Sequence, residues 1–120
     1  MGLLDGRTIL VTGVTMPTSI AFRAAQLAQQ EGARVIVSNL ERAIGATRRA
    51  VRRLDVEPDV IELDVTDEEH LASLAERLGE HCERLDGVLH SIGFAPEGAF
   101  SFLDATWEDV STAVHVSAYS

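Results

Sequence analysis

Apolar and polar positions follow two rhythms along this chain. Short continuous apolar runs, Ile9-Leu10-Val11, Val35-Ile36-Val37 and the stretches at 59–63 and 86–92, have the length and branched content of buried strands. Between them apolar residues recur at helical spacing: Ile20, Ala24, Leu27 and Ala28 ahead of Gly32, a plausible stop, and Leu71, Leu74, Leu78 and Cys82 further on. The predicted order is a strand over Arg7–Thr12, a helix, a strand over Arg34–Ser38, a helix over Glu41–Leu54, a strand over Asp59–Leu63, a helix, a strand over Asp86–Ile92 and a last helix. Thr66-Asp67-Glu68-Glu69 has the form of a capping box, with Thr66 and Glu69 each satisfying a free backbone N–H at the third helix. Thr106-Trp107-Glu108-Asp109 opens the fourth, whose apolar face carries Val110, Ala113 and Val114.

Strands that are apolar throughout and separated by helices imply a parallel sheet covered on both faces. Right-handed crossovers then give a doubly wound, Rossmann-like α/β fold with strand order 3-2-1-4. Ligands of such sheets lie at the carboxyl ends of the strands, beside the switch between strands 1 and 4. No repeat or linker divides the sequence, so residues 1–120 read as one dinucleotide-binding domain that stops within the fourth helical pattern.

The chemistry-bearing residues sit at those strand ends. After strand 1, Gly13 can take a tight bend, Ser19 and nearby N–H groups can meet pyrophosphate oxygens, and Ala21 is small enough for close helix–sheet packing. Capping the helix is the other reading of Ser19. After strand 2, Leu40 could flank an adenine. Glu41 and Arg42 suit a ribose or the extra phosphate of NADP, or simply open a helix. After strand 3, the Asp64 carboxylate could accept from an adenine amino group while the next N–H, at Val65, meets a ring nitrogen; capping is its other reading. After strand 4, Gly93 would let a ribose approach the backbone, and Phe94 and Ala95 would begin an apolar wall.

Composition narrows the partners. A net charge of −9 disfavours nucleic acid, and the arginines at 48, 49, 52 and 53 lack aromatic company, as a solvated helix face does. No apolar run approaches the ~20 residues of a membrane span. One cysteine, Cys82, fits a reducing compartment, and a cytoplasmic location is expected. The four histidines have no ligand spacing, so no metal site is expected. All ten basic residues are arginine.

Taken together, the segment Leu3–Gly13, Ser19-Ile20-Ala21, Leu63-Asp64-Val65, the string Leu85–Pro96 and Ser117-Ala118-Tyr119-Ser120 resemble the enoyl-acyl-carrier-protein reductases, divergent short-chain dehydrogenase/reductases, of the actinobacterial type. The resemblance covers essentially the whole chain. His90-Ser91-Ile92-Gly93-Phe94-Ala95-Pro96 stands where ordinary members carry Asn-Asn-Ala-Gly. It implies NADH as cofactor, with Gly13, Ser19 and Ile20 on the pyrophosphate side and Leu40, Asp64 and Val65 at adenine. Ser91, Ile92, Gly93 and Val116 would lie along the nicotinamide ribose, and Ala95 would touch the acyl substrate. The implied reaction is hydride transfer from NADH to the β-carbon of a trans-2-enoyl thioester, carried by acyl carrier protein or coenzyme A, in fatty-acid elongation by a homotetramer. Pro17 departs from the family's usually polar phosphate turn and removes one N–H. The family's tyrosine–lysine pair has no counterpart, since the chain has no lysine; no catalytic residue is assigned, and these residues alone are expected to be inactive. A ketoacyl-type short-chain reductase and a non-catalytic nucleotide-binding module are the alternatives.

Overall fold

A computed structural model describes residues 2–120. It contains β1 (Thr8–Thr12), α1 (Ile20–Gln30), β2 (Arg34–Asn39), α2 (Glu41–Val51), β3 (Asp59–Glu62), α3 (Glu68–Gly79), β4 (Gly87–Leu89) and α4 (Trp107–Val114). A 3₁₀ turn at Glu97–Phe100 precedes α4, and a π turn at His115–Tyr119 continues it. The sheet runs β3-β2-β1-β4, with every pairing parallel. The expected order 3-2-1-4 and fold class are therefore found.

Successive strand residues face opposite sides of a sheet, and this divides the core in two. Val11, Val35 and Val37 pack with Ala21, Phe22, Ala25 and Ala28 of α1 and Ala50 and Val51 of α2. Leu10, Ile36 and Ile61 pack with Leu78 of α3 on the other face. Each fully buried valine or leucine contributes on the order of 1.5–3 kcal/mol. The parallel register sets Thr12 beside Ser38 and Asn39 beside Glu62, so the strand ends form one rim.

Element boundaries follow from identifiable hydrogen bonds. At the foot of α1, the Ala33 N–H donates to the Ala28 carbonyl and the Gly32 N–H to that of Gln29. This is a Schellman stop, with Gly32 at φ +93° supplying the left-handed residue it needs. The fourth strand is shorter than predicted, ending at Leu89 rather than Ile92. The buried Thr12 side chain replaces the ladder there: its hydroxyl donates to the Leu89 carbonyl at 3.1 Å and accepts from the Ser91 N–H at 2.9 Å. The cap of α3 also differs. Its N-cap is Asp67, whose carboxylate accepts from the N–H groups of Glu69 and His70. Thr66 is drawn away because its N–H and hydroxyl both donate to Asp64. A capping box forms instead on α4, between Thr106 and Asp109.

The apolar faces of the later helices are less covered than their spacing suggests. Leu71 is exposed, whereas Leu74 and Cys82 pack against the smaller cluster. No residue of α4 is buried, and both Val110 and Val114 are exposed. The arginines at 48, 49, 52 and 53 are exposed, as expected of a solvated face. No helix among the described residues is long and apolar enough to cross a membrane.

Candidate cofactor site

The rim is stitched together across all four strands. Immediately after β1, Gly13 turns with φ +75°, and its N–H donates to the Ser38 carbonyl at 3.0 Å. A Cβ at this position would fall on the Ser91 carbonyl oxygen, so the turn after β1 and the chain leaving β4 touch through a glycine. Asn39 donates from Nδ2 to the Val14 carbonyl at 3.1 Å and to the Thr47 hydroxyl at 3.0 Å, while its Oδ1 accepts from the Leu40 N–H. Thr47, fully buried on α2, donates to the same Val14 carbonyl. The Leu63 N–H donates to the Asn39 carbonyl, tying the end of β3 to that of β2. Asn39, Thr47 and Thr12 were not singled out from sequence. Their one available signal is a polar residue on an otherwise buried face, which only the fold reveals.

The phosphate turn is arranged differently from the simplest expectation. Ser19 is the N-cap of α1: its hydroxyl accepts from the Phe22 N–H at 3.1 Å and donates to the Met16 carbonyl at 2.7 Å. A hydroxyl has one hydrogen, so this one is already committed and would have to turn from Met16 to meet a phosphate oxygen. The Ile20 and Ala21 N–H groups, at the open head of α1, have no acceptor among the described residues. Ala21 is buried against the sheet, and Ile20 is exposed at the mouth of the turn.

At the opposite flank, Asp64 sits in a tight Asx turn. Its Oδ1 accepts from the Thr66 hydroxyl at 2.6 Å and the Thr66 N–H at 2.9 Å. Those bonds, the hydroxyl first, hold its carboxyl below the ordinary range, and the Arg42 charge acts in the same direction. The bond from the Leu63 N–H to the Asn39 carbonyl brings the loops after β2 and β3 side by side. Leu40, half-buried, heads α2 in that neighbourhood. Val65 is buried, and its N–H has no acceptor among the described residues. The remaining Asp64 oxygen and this N–H are an acceptor–donor pair of the kind an adenine edge requires.

Beyond β4 the chain forms one wall of an apolar groove of about 540 Å³, lined by Gly93, Phe94, Ala95 and Phe100 opposite Ala113, Val114, Ser117 and Ala118. A Cβ at Gly93 would meet nothing within 4 Å, so its missing side chain leaves open space. The Ser117 hydroxyl accepts from the Phe94 N–H and donates to the Phe94 carbonyl, clamping the two walls together. Ile92 and Val116 are half-buried; Val116 lies outside the groove lining. A larger concavity, about 630 Å³, lies at the amino ends of the strands around Arg7, Arg34, His81 and Asp86. Its arginines lie in ion pairs, Arg7 and Arg84 with Asp86 and Arg34 with the neighbouring Asp59. The free donors, the open glycine and the apolar wall are all at the carboxyl rim.

The chain is similar to known proteins. The chain is 45% identical over 99% of its length to the enoyl-acyl-carrier-protein reductase (NADH) of Mycolicibacterium smegmatis, covering 46% of that protein. It is 47% identical over 99% to the enzyme of that name from Mycobacterium avium, again covering 46%. For the Neisseria meningitidis counterpart the identity is 39% over the whole chain. The chain thus spans about half the length of the curated relatives it matches. The model of the family described as enoyl-(acyl carrier protein) reductase aligns with residues 13–120, beginning at the glycine that meets Ser91, and the chain belongs to that family.

Proposed function

We propose that these residues form the cofactor-binding part of an NADH-dependent reductase of trans-2-enoyl thioesters on acyl carrier protein or coenzyme A, working in cytoplasmic fatty-acid elongation. The observation that carries this reading is the contact of Gly13 with the Ser91 carbonyl at the carboxyl ends of β1 and β4, two residues ahead of Gly93, whose missing side chain leaves open space. Gly13, Ile20 and the head of α1 bind the pyrophosphate, with Ser19 chiefly holding the turn in shape. Leu40, Asp64 and Val65 take the adenine. Ser91, Ile92 and Gly93 line the nicotinamide ribose with Val116 behind them, and Ala95 meets the acyl chain.

When bound, the dinucleotide supplies the hydride. The residues named here orient it and offer the substrate a dry wall; none is assigned a catalytic role. The names of the relatives support NADH over NADPH. The exposed Arg42 is the residue that NADPH would have been expected to recruit, and here its charge acts on Asp64.

Two measurements test the reading. In the whole protein that carries these residues, NADH raises the melting temperature, and Gly93→Val, which fills the open space, abolishes most of that rise. The same protein oxidises NADH with a trans-2-enoyl thioester and not with a 3-ketoacyl thioester. Absence of any NADH-dependent shift refutes the cofactor site; preference for the ketoacyl substrate refutes the reaction and favours the ketoacyl-type alternative.

A further inference from the structure

The turn carrying Asp64 and Val65 is held from behind by a histidine. The Asp64 N–H donates to His70 Nδ1 at 2.9 Å. A backbone amide can only donate, so this ring nitrogen must be unprotonated and the imidazole neutral, with its hydrogen on Nε2. The Nε2 side faces acids: Glu62 Oε1 lies at 3.8 Å and Asp67 Oδ2 at 3.9 Å, both beyond hydrogen-bond reach. Arg77, the cation on the same helix, is occupied elsewhere, donating to the Glu62 and His70 carbonyls and the Ser73 hydroxyl. The Arg42 charge also acts on Asp64.

Protonation would therefore turn an acceptor into a donor facing a donor. The imidazolium loses the Asp64 N–H and gains a reason to swing toward Glu62 and Asp67. The Asp64–Val65 turn, which presents the acceptor–donor pair to the rim, would then lose its support from α3.

We infer that His70 is a positioning residue for the adenine end of the cofactor, which it supports only in its neutral form, so that dinucleotide affinity falls with acid. The inference rests on the assignment of Asp64 and Val65 to adenine proposed above. Its direction is set by the hydrogen bond: the support exists while Nδ1 is unprotonated and is lost when acid protonates it. Asp64 itself stays charged as this happens, since its carboxyl is held below the ordinary value.

Calorimetric titration of the whole protein with NADH and with ADP-ribose, between about pH 5.5 and pH 8, reads this out. The wild type should bind both ligands about three- to tenfold more weakly at the acid end, the equivalent of one hydrogen bond. His70→Asn, whose side-chain oxygen can take the place of Nδ1 without titrating, should bind near the wild-type alkaline affinity with no slope over this range. His70→Ala should bind weakly throughout. A flat wild-type profile, a slope retained by His70→Asn, or a slope seen with NADH and absent with ADP-ribose overturns the inference while leaving the cofactor reading intact. Should His70→Ala not fold, the wild type and His70→Asn decide alone. Failure of the wild type to bind either ligand at any pH overturns both.

Discussion

Gly13 and Gly93 look alike in the sequence and do opposite things. At Gly13 a side chain is barred twice, by φ +75° and by the Ser91 carbonyl. Gly13→Ala should therefore cost at least about 1–3 kcal/mol of folding stability, read from urea denaturation. Gly93→Ala meets open space and should leave the denaturation midpoint unchanged. Equal midpoints for the two variants would contradict the geometry. The need for a glycine in the first turn was legible from the strand–glycine–helix order. Its contact with Ser91 was not, because nothing local to either residue encodes it. Ser19 shows a different limit: a short hydroxyl one residue ahead of a helix satisfies its own backbone first, whereas the sequence had favoured phosphate binding over capping. His70 stood only as one of four unclustered histidines, since a role exercised through a backbone N–H leaves no pairing of side chains to find.

At the level of elements, the apolar runs located β1 and β2 within a residue, and α1 stopped short of Gly32 as predicted. Two of the misses share a cause, side chains that compete with backbone partners, whereas α2 simply ends at Val51, three residues before the predicted Leu54. Thr12 ended β4 early, and Asp64 took Thr66 from the head of α3 and left the cap to Asp67. Because the Thr12 hydroxyl serves the Leu89 carbonyl and the Ser91 N–H together, Thr12→Val removes both bonds while keeping the shape. Amide exchange at Ser91 should then quicken by about tenfold, the loss expected for a single amide hydrogen bond. Exchange at the β1–β2 amides should hold steady. An unaltered Ser91 rate would mean that the hydroxyl is not what anchors this segment.

On the scale of the whole molecule, the parallel order was legible because alternation of strand and helix admits few right-handed arrangements. Which surfaces stay open was less so: spacing reveals that a helix has an apolar face, and says nothing of what meets it. Among the described residues β4 pairs only with β1, and Val88 on it is 59% exposed. An uncharged apolar edge invites pairing between copies. The 120-residue chain should self-associate in light scattering, and Val88→Arg should reduce this. A monodisperse wild-type monomer would contradict the expectation. The two cores also differ in where along the chain they are drawn from. All the residues of the larger cluster, including those packed on its margin, fall between Leu4 and Val60. On a translating ribosome, that layer can close while the segment from Ser91 to Val116 has yet to be made, so the part of the rim built on β1 and β2 would form before the part that follows β4.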